Sequence, residues 1–484
     1  MVILSVDINR MQNQQYTQNI PNQSLQNYTQ SDPAQQNLPH KKHSKIIIPL
    51  IICGVILLII AGGSVVYINA NSKPKIVVPK KVSLAFWGLT DDVSTVQPIL
   101  DKYHELNPNI TVNYEKRSAT NYKENLSSRF ATGASENLPD VVEIDSKWTT
   151  EFSNYLSSPL EATYSVGDFN NNYFAAAQKD LQVFNLTAGS LQIVGLPLET
   201  DSLALCYNKN LIPDPNVIPT TWPEFKNFAL SLTVRSQTDG NTTPKITRAG
   251  LSIGNAVNVT YSADILQMLL MQNRVTFPDY ANDSTAFNNP QNMADAINFY
   301  KSFSNNSDDK NNTWSANLKG SFTEFENGNA AMIFCYAHDI NTLQTLNSNL
   351  NFGVTVPPVV AGQTYLSGQA NAIAVPNLKG NQLEAWNFTK YYTSPDSLKI
   401  LVDSEKTNKK VFPSKEQVKT LDKNVLYGAF AKMAPTSYSW KTPKLESTQK
   451  FFQDIALSSL NYSADSATNL ISDFYKLYGD TSTQ

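Results

Sequence analysis

Aromatic rings beside short carboxylates and amides are the side chains here with most to offer a ligand, and they recur where strand-like runs end. Trp87 closes the run VSLAFW. Glu143 and Asp145 end PDVVEID, and Trp148 follows. Asn258, Tyr261 and Asp264 precede or open a helical pattern, whose N-terminus carries N–H groups without intrahelical partners. Tyr336, His338 and Asp339 follow the run MIFC. Such groups suit a polyhydroxylated guest: rings cover the apolar C–H faces of a pyranose, and short polar groups take its hydroxyls. Each residue also has a plainer role open to it. Trp87 and Trp148 suit a core, Asp264 suits a helix N-terminus through the macrodipole, and His338 suits an ordinary loop. Trp222, Trp314 and Trp386 are assigned to packing or surface.

Covalent, redox and metal chemistry have no comparable signal. There is no Gly-x-Ser-x-Gly elbow, phosphate loop or His-Glu-x-x-His. Four histidines and three cysteines show no metal-ligand spacing, so neither a metal nor a cofactor is expected. A glycosidase needs only two carboxylates, and the chain has 41. An enzyme is not expected, but a hydrolase stays as a lesser alternative. It would shorten an oligosaccharide that a binding protein returns intact.

The elements that must position these residues begin well into the chain. Of 484 residues, 1–45 form a tract rich in Gln and Asn with few apolar side chains, which cannot bury enough surface to offset its ordering entropy. Ile46 to Ile68 follows, 23 residues without a charge, long enough to cross a hydrocarbon layer of ~30 Å. It is longer than a signal-peptide core and reads as an uncleaved single-pass membrane anchor. Residue 52, before Cys53, is Ile rather than a small residue, which argues against a lipidated cysteine. Lysines flank both ends, so charge alone does not orient the span. Residues 69–81 are a Pro/Lys tether of extended character. A formal net charge of −3 speaks against nucleic acid as a partner.

From Val82 the pattern alternates. Strand runs at 82–87, 110–114 and 139–144 are each followed by helical spacing, over 95–107, over 121–131 with Gly133 at its C-terminal cap, and through Trp148, Phe152, Tyr155 and Leu156. This β-α-β-α-β-α order predicts a parallel sheet wrapped by helices, with ligand at the C-terminal rim of its strands. The second half starts near Gly195. LALCYN reads as a buried strand, and Thr221-Trp222-Pro223-Glu224 as a capping box opening a helix. Helical patterns follow at 262–273, 290–303 and 321–327, and AAMIFCY, NFGVTV and ANAIAV read as strands. Cys206 and Cys335 lie in two such runs, as buried thiols or, outside the cell, as a disulfide.

GLPLETDSLALCYNKNLI followed by TTWPEFKNFALSLT resembles the middle of a family 1 bacterial extracellular solute-binding protein, the sugar-binding component of an ABC importer. LAFWGLTDD, ITVNYEKRSATNYKENLSSRFATG and PDVVEIDSKW resemble its opening lobe. AGLSIGNAVNVTYSADILQMLLMQN, FENGNAAMIFCYAHDI, NFGVTVPPV, AWNFTKYYTSPDSLKIL and SYSWKTPKLESTQKFFQDI resemble later segments in order, over about residues 82–480. The resemblance implies an α/β, two-lobed, periplasmic-binding-protein-like (type II) fold with hinge crossings. Lobe one would be 82–197 with 355–398, and lobe two 198–354 with 399–484. It implies a monomer that binds a small-molecule carbohydrate and meets ABC permease subunits. The missing lipobox departs from the pattern; the apolar helix would replace the lipid, leaving the tail cytoplasmic and the domain outside. On this template Asp201 sits at a lobe crossing, Gly368 precedes and Asn371 opens the strand run ANAIAV, where a small residue lets backbone approach a ligand, and Trp440 lies in a closing segment that often supplies an aromatic. A surface sensor or adhesin on the same fold stays open as an alternative, since fold does not imply import.

Overall fold

The structure, a computed structural model, describes residues 80–479 apart from 134, 186–187, 238–243, 279–285, 288, 306–308, 405–413, 416–418, 420–423, 441 and 443. The tail, the apolar span at 46–68 and most of the tether lie outside the described residues. Among the described residues no helix is long and apolar enough to cross a membrane.

Thirteen strands are described: β1 (Val82–Gly88), β2 (Ile110–Lys116), β3 (Val141–Asp145), β4 (Gln182–Asn185), β5 (Ser190–Ile193), β6 (Leu196–Ser202), β7 (Ala204–Asn208), β8 (Val234–Arg235), β9 (Ile246–Arg248), β10 (Met332–Cys335), β11 (Phe352–Thr355), β12 (Leu366–Ala374) and β13 (Ser437–Tyr438). The larger sheet runs β13-β12-β3-β1-β2, with β6 also paired to β12. β1 is parallel to β2 and β3, as the alternating pattern predicts. β12 runs antiparallel to both β3 and β6, so the sheet is mixed rather than all parallel. A second sheet, β10-β7-β11, is antiparallel.

Local sequence accounts for most of this. Val141 to Ile144 are buried on both faces, as befits a strand between helices. Helix Val93–Leu106 buries Val96, Ile99, Leu100 and Tyr103, one face at helical spacing. Gly133 caps helix Tyr122–Thr132 at φ 61°, where other side chains are strained.

Three expectations change. The helix through Trp148 to Leu156 is broken into 3-10 turns at Ser146–Trp148 and Ser153–Tyr155 around one α-turn, Thr149–Phe152. The capping box at Thr221 does not form: the Thr221 hydroxyl donates to Glu224 Oε2 at 2.9 Å and caps no backbone N–H of helix Trp222–Leu232. The strand holding ANAIAV begins earlier, at Leu366. Cys206 and Cys335 form a disulfide that ties β7 to β10.

The described residues carry two large apolar cores. One holds Leu84, Phe86, Val141, Ile144, Leu196, Leu198, Ile373 and Phe388. The other holds Leu203, Leu205, Leu266, Leu269, Ile333, Leu366, Phe452 and Phe474. The segments containing β6 and β12 therefore each leave one core for the other. Leu196 and Leu198 belong to the first and Leu203 to the second, while Leu366 belongs to the second and Ala372 to the first.

Candidate functional site

Where β1 and β3 end beside the second core, an aromatic row forms. Trp87 lies 6.5 Å from Tyr122, Tyr122 lies 6.2 Å from Trp148, and Trp148 lies 6.1 Å from Phe152. Trp87 keeps only 8% of its surface, and the guanidiniums of Arg117 and Arg129 lie 4.3 and 5.0 Å from its ring centre. Trp148 is half-buried. The Tyr122 hydroxyl donates to the Glu143 carbonyl. The Glu143 carboxylate is buried and works on the protein itself. It accepts from Leu89 N at 2.7 Å, Thr90 N at 3.3 Å and Thr90 Oγ1 at 2.8 Å, fixing the loop after β1. Asp145 accepts from Lys147 N at 2.8 Å and opens the turn that carries Trp148. Burial raises the Asp145 carboxyl, with Lys147 pulling the other way.

On the second core the candidates converge on a polar cluster. Asp201, at the end of β6, accepts from Ser202 N and Ala337 N at 2.8 and 2.7 Å through Oδ1. Its Oδ2 accepts from His338 N at 3.1 Å and from His338 Nδ1 at 2.9 Å. The Tyr261 hydroxyl donates to Asp339 at 2.9 Å and lies 3.2 Å from His338 Nε2. Asp339 accepts from Tyr336 N at 2.8 Å, so this turn is closed on itself. The His338 ring stacks on Tyr336 at 5.4 Å with planes 12° apart, and Tyr261 meets both edge-on. Burial opposes a charged His338, but the hydrogen bond and charge of Asp201, with Asp339 and Glu199, outweigh it and lift the ring to about 9. Its side chain keeps 53% of its surface, so this is a charged, oriented ring that still faces solvent. Tyr261 adopts φ 62° at the N-cap of helix Ser262–Gln272, a left-handed conformation that its own hydrogen bonds and packing hold in place.

The remaining candidates lie elsewhere or are occupied by the protein. Asn258 Nδ2 donates to the carbonyls of Ser315 and Leu318, and Oδ1 accepts from Trp314 Nε1. What approaches Gly368 is this chain: a Cβ there would stand 2.8 Å from Ser437 Cβ and 3.1 Å from the Asp201 carbonyl. Asn371, the β12 residue in register with both Asp145 on β3 and Glu199 on β6, donates Nδ2 to Glu199 Oε1 at 2.7 Å. Trp440 is 1% exposed and packs on Phe277 and Phe452 in the second core. Asp264 is buried and paired with Lys147 Nζ at 3.1 Å. Trp222, Trp314 and Trp386 are buried packing residues.

Sequence reasoning passed over Lys147, Tyr122 and Glu199. Lys147 stands between Asp145 and Trp148 in DSKW, a cation among carboxylates, and that was a usable signal. Glu199 shares a strand face with Asp201 at a spacing of two residues, another legible cue. Tyr122 reads in sequence as one more apolar position of a helix. No group of three or more metal-binding side chains occurs among the described residues.

A family model described as bacterial extracellular solute-binding protein matches residues 99–451. No curated protein matches the chain significantly in sequence. Solved structures share its fold at low identity. A cyclo/maltodextrin-binding protein complexed with maltotetraose is 17% identical, covering 81% of this chain and 96% of its own, with a TM-score of 0.62. The sugar-binding protein MalE from the phytopathogen Xanthomonas citri is 18% identical over 82% and 98%, with a TM-score of 0.62. An ABC transporter solute-binding protein from Thermotoga lettingae, bound with α-D-tagatose, is 18% identical over 82% and 100%, with a TM-score of 0.60.

Proposed function

The chain belongs to the bacterial extracellular solute-binding protein family, and from that premise we propose that it captures a carbohydrate, an oligosaccharide rather than a single ring, for the permease of an ABC importer. The observation that carries this is the Lys147–Asp264 contact, which brings the turn bearing Trp148 to the helix that Tyr261 caps, beside a pre-oriented polar cluster. Trp148 and Tyr122 stand on one side; Asp201, His338, Asp339 and Tyr261 stand on the other. The partly exposed Trp148 ring receives C–H faces, and a rigid acid–imidazole–phenol set receives hydroxyls without new ordering cost. The sugars bound by the structural neighbours agree with this chemistry.

In this reading lobe one is 82–197 with 355–398 and lobe two 198–354 with 399–484. The lobes hinge on the crossings near β6 and β12 and close on the guest. The apolar span 46–68 anchors the chain, leaving 1–45 in the cytoplasm, with 69–81 as the tether of an extracellular, monomeric domain. The tether raises the local concentration of the domain at its permease. A disulfide between Cys206 and Cys335 suits an oxidising exterior.

The test is thermal shift of the full-length protein, purified in a detergent without a sugar headgroup, against a carbohydrate panel. A guest at 100 times its Kd adds about 2.7 kcal/mol to stability. Recovering that oligosaccharide unshortened separates capture from hydrolysis. A panel of neutral mono- and oligosaccharides that leaves the melting temperature unmoved refutes the carbohydrate reading.

A further inference from the structure

Two lysines reach from one core to the other. Lys147, in the 3-10 turn after β3, meets Asp264 Oδ1 at 3.1 Å, in the first turn of helix Ser262–Gln272 on the second core. The two side chains keep 3% and 7% of their surface. Around the Lys147 ammonium stand Asp264, Asp145 and Asp180; burial opposes its charge, and these carboxylates more than offset that. The turn carrying Lys147 is itself fastened to β12, because Ala370 N donates to Ser146 Oγ at 3.1 Å, and Ser146 Oγ donates to Asp180 at 2.6 Å. The pair therefore lies beside a strand that passes between the cores. Farther out, Lys123 donates to Glu446 at 2.8 and 3.0 Å, at the start of helix Leu445–Leu457, and pairs with Glu151 at 2.7 Å on its own side. Glu446 keeps 64% of its side-chain surface, so this outer contact is wet.

We propose that Lys147 is a positioning residue: it meets Asp264 across the junction of the two lobes, so that the guest-free chain can close over the buried Asp264 charge and Asp264 is withheld from whatever the cleft binds. This rests on the hinged, two-lobed reading above. Parting the lobes returns both charges to water, so the intact pair tips the balance only modestly. Removing Lys147 is different, because it leaves Asp264 as an unpaired charge that the closed form has to bury, whereas removing Asp264 leaves Lys147 its own-side partners Asp145 and Asp180. Removing both with apolar groups of similar volume takes that penalty away. The outer Lys123–Glu446 pair is screened by salt and contributes little at high ionic strength.

The experiment measures the distance between spin labels at the exposed positions Lys102 and Thr345, one on each side of the junction, in the full-length protein without ligand. The expected result is a predominantly closed distance, unchanged between 0.1 and about 1 M salt apart from the small outer contribution. Lys147→Met is expected to raise the open-to-closed ratio at least about tenfold, and Lys147→Met/Asp264→Leu to return it to near the original value. A distance distribution that Lys147→Met leaves unchanged overturns the proposal. So does a double variant as open as the single one. A single variant that failed to fold would be recognised by loss of the cooperative thermal transition; Lys147→Gln, which also strands Asp264, then carries the comparison. No sugar enters this measurement, so its outcome is separate from that of the carbohydrate screen.

Discussion

Reducing the Cys206–Cys335 disulfide is the cleanest perturbation of the second core, because it changes one covalent bond and no side-chain volume. The bond closes a loop of 129 residues. In the chain-entropy account, cutting a link of that length returns about 17 cal/mol/K to the unfolded ensemble, worth ~5 kcal/mol at 25 °C. Both sulfurs are buried between neighbouring strands, so the folded state keeps its packing. A folded region of about 400 residues unfolds with an entropy near 0.8 kcal/mol/K, which converts the loss to a fall of ~6 °C in melting temperature. The assay is calorimetry of the full-length protein before and after a reductant, with thiols counted in denaturant. Unreduced protein is expected to titrate a single thiol, Cys53, and reduced protein all three. Equal melting temperatures in the two states refute the entropy argument. Three thiols in the unreduced protein refute the bond itself.

Other outcomes follow from the junction and the cores. The His338 ring sits at about 9 when folded against 6.5 when free, so its contribution is complete below about pH 6.5 and is lost as pH rises toward 9. The ring is half exposed, so solvent screening limits this to about 1 kcal/mol, read as the difference in denaturation midpoint between pH 6 and 9.5. Asp201→Asn is expected to flatten that difference and bring the His338 NMR titration down toward its ordinary range; an unmoved titration would show that Asp201 is not its cause. Gln267 is fully buried on helix Ser262–Gln272, and neither amide atom has a partner among the described residues. Gln267→Leu should therefore stabilise the free protein by about 1–2 kcal/mol in urea unfolding, and a destabilised variant would mean the amide is engaged. Trp148→Ala should weaken carbohydrate binding roughly tenfold in calorimetric titration with little change in melting, while Trp440→Ala should cost about 3–5 kcal/mol of stability. The reverse pattern would exchange their roles.

The amino-acid sequence by itself determined the order of strands and helices through β3, the apolar faces of helices such as Val93–Leu106, the αL cap at Gly133 and the family. Each of these is written within a window of some fifteen residues, or in an ordered series of such windows, because periodicity and capping act locally. Short-range rules failed where a tertiary contact outbid them. Thr221 satisfies Glu224 rather than a backbone N–H, and the segment around Trp148 breaks into turns as Ser146 and Thr149 fasten it to Asp180 and β12. Among the site residues, the sequence could point to strand ends but could not tell a half-buried ring from a fully buried one. Trp148 and Trp440 look alike in one dimension, and only burial separates them. The tertiary structure alone decided that Cys206 meets Cys335, that Asp201 holds His338, and that Lys147 meets Asp264. The last pair is 117 positions apart, and Lys123 and Glu446 are 323 apart. No periodicity reaches so far; such partners meet only because strands passing between two cores bring separate stretches of chain to one junction, where a buried charge has to find its opposite.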